Sequence, residues 1–260
     1  MVSVLRPGNR ILNIPAIGVT TSRRAVGGGN GLLNSLVAYW SLDEAAGANN
    51  ALDAHTNGLT LTQVGSPGSA AGKIGTARTF SGTGQYFKRT SETLLQTGTA
   101  GHTITAWLNL SSAASFVSAI TKDFGTLREY QLIYYGGSAI NKFAYYQFFS
   151  DASFLRVDAA LPTPASTATW YFIVVRYDPA TNTISICVNN QTVYSLSTVG
   201  KTPAVSNSLF NIGNVANGGT GLWPGSIDEV GFWKGRVLSA ADITLLYNAG
   251  AGLPYASFTV

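Results

Sequence analysis

This sequence predicts an all-β fold of two antiparallel sheets packed as a sandwich and closed by one short helix. Three observations carry that prediction. Charged residues make up only 11% of the 260, against about a quarter in an average soluble domain. Gly, Ser, Thr and Asn cluster between short stretches that alternate apolar and polar residues, the pattern of strands and turns. Only one stretch, near the C-terminus, has the marks of a helix. The length allows one large core with an appendage. The single cysteine, Cys187, excludes an internal disulfide.

Residues 1–35 read as an extended arm. Ile11, Leu12, Ile14 and Ile17 alternate with Gly, Pro and Arg, and Gly27-Gly28-Gly29-Asn30-Gly31 has the composition of a linker. Nothing in this segment builds a core of its own. Arg6, Arg10, Arg23 and Arg24 precede the first acid, Asp43, so the net charge of +4 belongs to the arm. The arm is either a solvated tail or a docking segment. In the second case Ile11, Ile14 and Ile17 anchor it, and Arg6, Arg10, Arg23 and Arg24 meet carboxylates of a partner. Four dispersed arginines without aromatic neighbours make a weak nucleic-acid footprint, and no nucleic acid is expected. No long apolar run follows Met1, so neither a signal peptide nor membrane insertion is expected.

The domain is expected over residues 36–260. Its first strand opens at Leu36, with Ala38, Trp40 and Leu42 on one face and Val37, Tyr39 and Ser41 on the other. His102–Leu110 alternates cleanly, with Ile104, Ala106, Leu108 and Leu110 against Trp107. Trp170–Val193 reads as two strands joined at Asp178-Pro179 and Asn182. A last strand, Gly225–Trp233, pairs Val230 with Phe232 on one face and Ile227 with Trp233 on the other. A helix follows. Ser239 and Asp242 form a capping-box pattern, Leu238 and Ile243 a hydrophobic staple, and Gly250 stands where a left-handed cap belongs.

In this order the segments resemble the laminin-G-like, concanavalin A-like jelly rolls. The first strand runs into Leu42-Asp43-Glu44; Asp53, Asn57 and Gly58 match the turn after it. Gly72, Lys73, Gly75, Ala77, Phe80, Gly82 and Tyr86 fit the next motif, and Trp170, Tyr177 and Asp178 fit a later hairpin. Ile227-Asp228-Glu229-Val230 leads into the terminal helix. The resemblance implies a jelly-roll sandwich, a fold shared by lectins, glycosidases, adhesion modules and viral structural parts. It also implies a candidate calcium site at Asp53 and Asp228. Alternation turns Asp228 inward with Val230 and Phe232, where a buried carboxylate needs either a cation or several backbone amides.

Catalytic patterns are missing. The glutamates Glu44, Glu92, Glu129 and Glu229 show no paired-carboxylate spacing, and His55 and His102 have no metal-ligand spacing. A non-enzyme is expected. One hairpin departs from the family pattern: Tyr130–Tyr135 and Phe143–Phe149 are apolar on both faces. One face is core, and the other needs a cover. A loop or the arm would serve. So would a subunit interface through Tyr134 or Tyr135, or a glycan stacking on Tyr145, Tyr146 or Trp223. The leading expectation is a structural or attachment protein of a bacteriophage virion. It would contact other virion proteins or copies of itself, with a host-surface glycan as a further candidate partner. The alternative is a carbohydrate-binding lectin-like module not tied to a virion.

Overall fold

The computed structural model describes residues 30–260 except 48, 91, 113–115, 138–140, 162–164 and 216–220. Arg6, Arg10, Ile11, Ile14, Ile17, Arg23 and Arg24 therefore lie outside the described residues. The first strands are β1 (Leu36–Trp40), β2 (Thr62–Val64), β3 (Gly68–Ala71), β4 (Thr76–Ser81) and β5 (Tyr86–Arg89). The long central strands follow: β6 (His102–Leu110), β7 (Phe116–Phe124), β8 (Leu127–Tyr135), β9 (Lys142–Phe148) and β10 (Phe154–Ala160). The chain closes with β11 (Trp170–Asp178), β12 (Thr183–Val188), β13 (Val193–Ser197), β14 (Phe210–Ile212), β15 (Pro224–Lys234) and one helix, α1 (Ala240–Tyr247).

Among the described residues these strands form two antiparallel sheets. One runs β13-β12-β11-β6-β15-β4-β3, with β1 also paired to β15; the other runs β10-β9-β8-β7-β14-β5-β2. The expected jelly-roll sandwich is what the chain adopts. Ile104, Ala106, Leu108 and Leu110 of β6 enter the core between the sheets, with Trp40, Phe80, Tyr130, Leu132, Phe210 and Phe232. Trp107 points the other way, as alternation requires.

That other face of the first sheet is covered as well. Tyr39, Trp107, Phe172, Val174 and Trp233 pack with Leu238, Ile243, Leu246 and Phe258, which come from the turn before α1, from α1 itself and from the C-terminal segment. The sandwich thus has a third layer. Residues 30–33, expected to belong to the arm, join this layer. Leu32 is buried there, its carbonyl accepts Trp233 Nε1 at 2.8 Å, and Leu33 N donates to Thr259 O at 3.0 Å. The helix starts at the expected capping box, with Ser239 as N-cap and Asp242 reciprocating. Its left-handed cap falls on Asn248 rather than Gly250, because asparagine tolerates that conformation.

Strand β15 corrects the expected face assignment. A bulge between Asp228 and Gly231 leaves Glu229 at φ 50°. The extra residue shifts the alternation by one. Ile227 consequently joins Val230 and Phe232 in the inter-sheet core, while Trp233 lies on the other face. Asp228 sits opposite Trp107 and so on the helix-covered face, not on the inward face expected for it.

Candidate functional site

The outer face of the second sheet carries the candidate site. On β9, Ala144, Tyr146 and Phe148 face outward while Phe143 and Tyr145 face the core. The register then sets Phe154 opposite Phe148, Arg156 opposite Tyr146, and Gln131 opposite Tyr146 on the other side. The outcome is a continuous aromatic surface. Tyr146 stacks on Phe148 at 6.1 Å, and Phe154 meets both, at 5.5 and 5.8 Å. Phe116 packs edge-on against Tyr135 at 5.3 Å.

Two guanidiniums frame these rings. Arg156 lies 5.1 Å from the Tyr135 ring and 5.9 Å from Tyr146; Arg128 lies 5.4 Å from Phe148. Such placements attract the cation to the ring quadrupole. The hydroxyls of Tyr135 and Tyr146 are 2.6 Å apart, which locks the two rings together. Burial pushes the Tyr146 hydroxyl up to about 12, so it stays protonated.

Beside this surface opens a groove of about 630 Å³, between the β7–β8 turn, the end of β9, the start of β10 and the loop at 204–206. Phe148 and Phe149 are buried beneath it, while Phe154 is 56% exposed. Leu127 and Val205 add further open apolar surface. The loop wall is held from below. Glu129 accepts from Ser206 N at 2.9 Å and from Thr97 N at 3.1 Å, and pairs with buried Lys122 at 2.9 Å. Lys122 Nζ also donates to the carbonyls of Ser206 and Ser208. No carboxylate lines the groove among the described residues.

The sequence-predicted residues divide between this face and the core. Tyr135 and Tyr146 are on the aromatic surface. Tyr134 and Tyr145, their immediate neighbours, are fully buried between the sheets. The Tyr145 hydroxyl is 2.7 Å from His102 Nε2 and donates to Gln147 at 2.8 Å. His102 is structural; burial lowers it to about 4. Trp223 is also fully buried, its Nε1 donating to Asn109 O at 3.2 Å, and offers no face to a sugar. Sequence reasoning passed over Phe148, Phe154, Arg128 and Arg156. Phe148 stood inside the doubly apolar run. Phe154 opens a strand whose alternation, Phe-Leu-Arg-Val-Asp, looks ordinary.

The residues do not fit a calcium ion at Asp53 and Asp228. Asp53 accepts amides of Tyr39 and His55 on one oxygen and of Leu59 on the other, at 2.8–2.9 Å. Asp228 Oδ2 accepts amides of Lys73 and Ile74, at 2.7 and 3.1 Å. Its Oδ1 is buried without a hydrogen-bond partner. Burial raises Asp228 to about 7 and neighbouring Glu229 to about 8, and the Tyr39 hydroxyl donates to Glu229. No group of three or more metal-ligating side chains gathers among the described residues. Backbone amides, one of the two options for Asp228, account for its Oδ2.

Fold and surface together define a lectin-type β-sandwich with an aromatic groove on its outer face. Residues 81–244 match Laminin_G_3, described as the concanavalin A-like lectin/glucanases superfamily. The chain belongs to this family. Among solved structures, it is similar to the binding domain of Paraclostridial Mosquitocidal Protein 1, with a TM-score of 0.66 and 12% identity over 84% of this chain and 53% of that one. Domain 4 of AbnA, a GH43 extracellular arabinanase from Geobacillus stearothermophilus solved with arabinotriose, gives 0.60 and 16% over 84% and 98%. The botulinum neurotoxin serotype D ligand-binding domain, solved with N-acetylneuraminic acid, gives 0.63 and 12% over 84% and 52%. The chain spans about half the length of the two toxin domains. At these identities the likeness is one of fold. No curated protein matches the sequence.

Proposed function

We propose that this chain is a non-catalytic glycan-binding module whose site is the groove over Phe148 and Phe154. The observation that carries this reading is an exposed aromatic ring beside two arginine-capped rings, over a groove of about 630 Å³. A sugar ring presents one apolar C–H face and a rim of hydroxyls. Phe154 supplies the stacking surface, and Arg128 and the loop backbone supply hydrogen-bond donors and acceptors. Glycoside hydrolysis in its usual form uses two carboxyl groups flanking the bond. The groove offers none, and the raised pair Asp228–Glu229 is buried on the opposite sheet.

The test is a glycan array followed by calorimetry on the best binder. Phe154→Ala and Arg128→Ala should each lower affinity about tenfold or more, equivalent to about 1.4 kcal/mol; Arg128→Ala also removes the partner of buried Asp123, 3.4 Å away, and should lower the melting temperature as well. Full affinity in both variants would remove the groove from the site.

The setting we propose is a bacteriophage virion, with the module as an attachment part. The acid-free segment carrying Arg6, Arg10, Arg23 and Arg24 supports this reading as a docking arm toward other virion proteins or copies of the chain. Its test is mass spectrometry of purified particles, with and without residues 1–29. A chain retained equally in both particles would sink the docking role.

A further inference from the structure

A second cleft lies at the other end of β10, one strand length, roughly 20 Å, from Phe154. It opens at the sandwich edge where β10 of one sheet meets the β12–β13 turn of the other, and holds about 230 Å³. Ala160 and Leu161 line one side. Tyr171, Gln191, Thr192 and Tyr194 are among the residues that line the rest.

We propose that this cleft binds a single neutral sugar ring. Its size is the first argument, since about 230 Å³ falls below the range of about 300–1,000 Å³ that suits larger ligands. Its chemistry is the second. Two tyrosines stand in the lining, amides and hydroxyls supply donors and acceptors, and none of the described lining residues is charged. An acidic sugar or a phosphate would find no counter-charge there, in contrast to the groove beside Arg128.

Preorganisation is the third argument. Asn189 and Asn190 hold the turn in left-handed conformations, at φ 51° and 54°. Asn189 Oδ1 accepts Phe172 N at 2.8 Å, and Asn189 N donates to Phe172 O at 2.8 Å. The Tyr171 hydroxyl accepts Ser166 N at 3.0 Å and keeps its own proton to donate. The turn is thus tied to β11, while the side chains of Gln191, Thr192 and Tyr194 make no hydrogen bond among the described residues. A ring entering the cleft finds a fixed backbone, which limits the ordering cost of binding, and polar side chains with no competing partner among the described residues. This assignment does not rest on the aromatic groove.

The test is an amide NMR titration of the full chain with methyl galactoside, methyl glucoside, N-acetylglucosamine and, as the charged control, N-acetylneuraminic acid. At least one neutral sugar should shift the amides of Tyr171, Gln191 and Thr192 in the millimolar range, and N-acetylneuraminic acid should leave them in place. Gln191→Ala and Tyr194→Ala replace exposed side chains, and each should weaken that binding about tenfold. Phe154→Ala should leave it unchanged, which separates this cleft from the groove. Unshifted cleft amides with every neutral sugar would overturn the proposal. So would equal shifts with N-acetylneuraminic acid, or full affinity in both cleft variants.

Discussion

At the scale of single residues, the buried acids beside β15 set how stability responds to pH. Asp228 is raised from 3.8 to about 7 and Glu229 from 4.5 to about 8, both chiefly by burial. The folded chain therefore keeps protons that the unfolded chain releases. Their stabilising contribution is complete below the ordinary carboxylate range and is lost as pH rises through about 7 to 8. His102 acts oppositely. It is lowered from 6.5 to about 4, so its contribution grows with pH between those values and is constant above. The clean window for the acids is thus from about 6.5 to about 8. Melting temperature should fall across it, and Glu229→Gln, which keeps an acceptor for Tyr39, should flatten the fall. A level profile in the wild type would show that these carboxyls ionise normally. Nearby, Gly72 has no room for a side chain. A Cβ there would sit 2.5 Å from Thr76 O and 2.7 Å from Asp228 Oδ2. Gly72→Ala should cost about 1–3 kcal/mol, read as a lower urea midpoint at unchanged slope.

Among the elements, α1 shows how local signals survive folding. Ser239 Oγ accepts Asp242 N at 3.2 Å, and Asp242 Oδ2 accepts Ser239 N at 2.9 Å. These contacts depend on residues three apart, so they are legible in the sequence. Ser239→Ala should cost about 1 kcal/mol, measurable by urea unfolding; a midpoint equal to wild type would mean the tertiary cover alone fixes the helix. Strand faces are legible under the same condition of locality. The faces of β6 follow from alternation because nothing interrupts it. Those of β15 do not, because its bulge places a glutamate at positive φ, where sequence offers no glycine or asparagine to mark it. On β8 and β9 both faces are apolar, so alternation separates Tyr134 from Tyr135 and Tyr145 from Tyr146 without saying which member faces out. That choice is made by the partner sheet. Phe154 escaped notice for a related reason: its neighbours in the groove come from β9 and the loop at 204–206, brought together only by register.

Across the whole molecule, the two ends of the described chain hold each other and the third layer in place. Asn30 Nδ2 donates to Ser257 O at 2.7 Å, Thr259 N donates to Asn30 Oδ1 at 2.8 Å, and Leu33 N donates to Thr259 O. Tyr255 stacks on Tyr39 at 5.0 Å, and Phe258 packs edge-on against Tyr39 at 5.1 Å. Below them lie Trp233, Trp107 and the pair Asp228–Glu229, all nearly or fully buried. The first sheet is therefore apolar on both faces, and the C-terminal segment belongs to the domain's stability. Removing residues 253–260 strips Leu253, Tyr255 and Phe258 from that face. Phe258 is well buried, and Leu253 and Tyr255 are partly buried; one fully buried apolar side chain contributes about 1.5–3 kcal/mol, so the loss exceeds that of a single such side chain against a typical domain total of about 5–15 kcal/mol. The truncated chain should melt at markedly lower temperature and bind an apolar dye such as anilinonaphthalene sulfonate. It should also lose the falling pH profile above about 6.5, because water then reaches Asp228 and Glu229 and their burial no longer holds the protons. If truncation lowered the melting temperature and left that profile intact, the cover would be mechanical support for the sheet, and the burial of the two acids would come from β1 and the 72–76 turn alone.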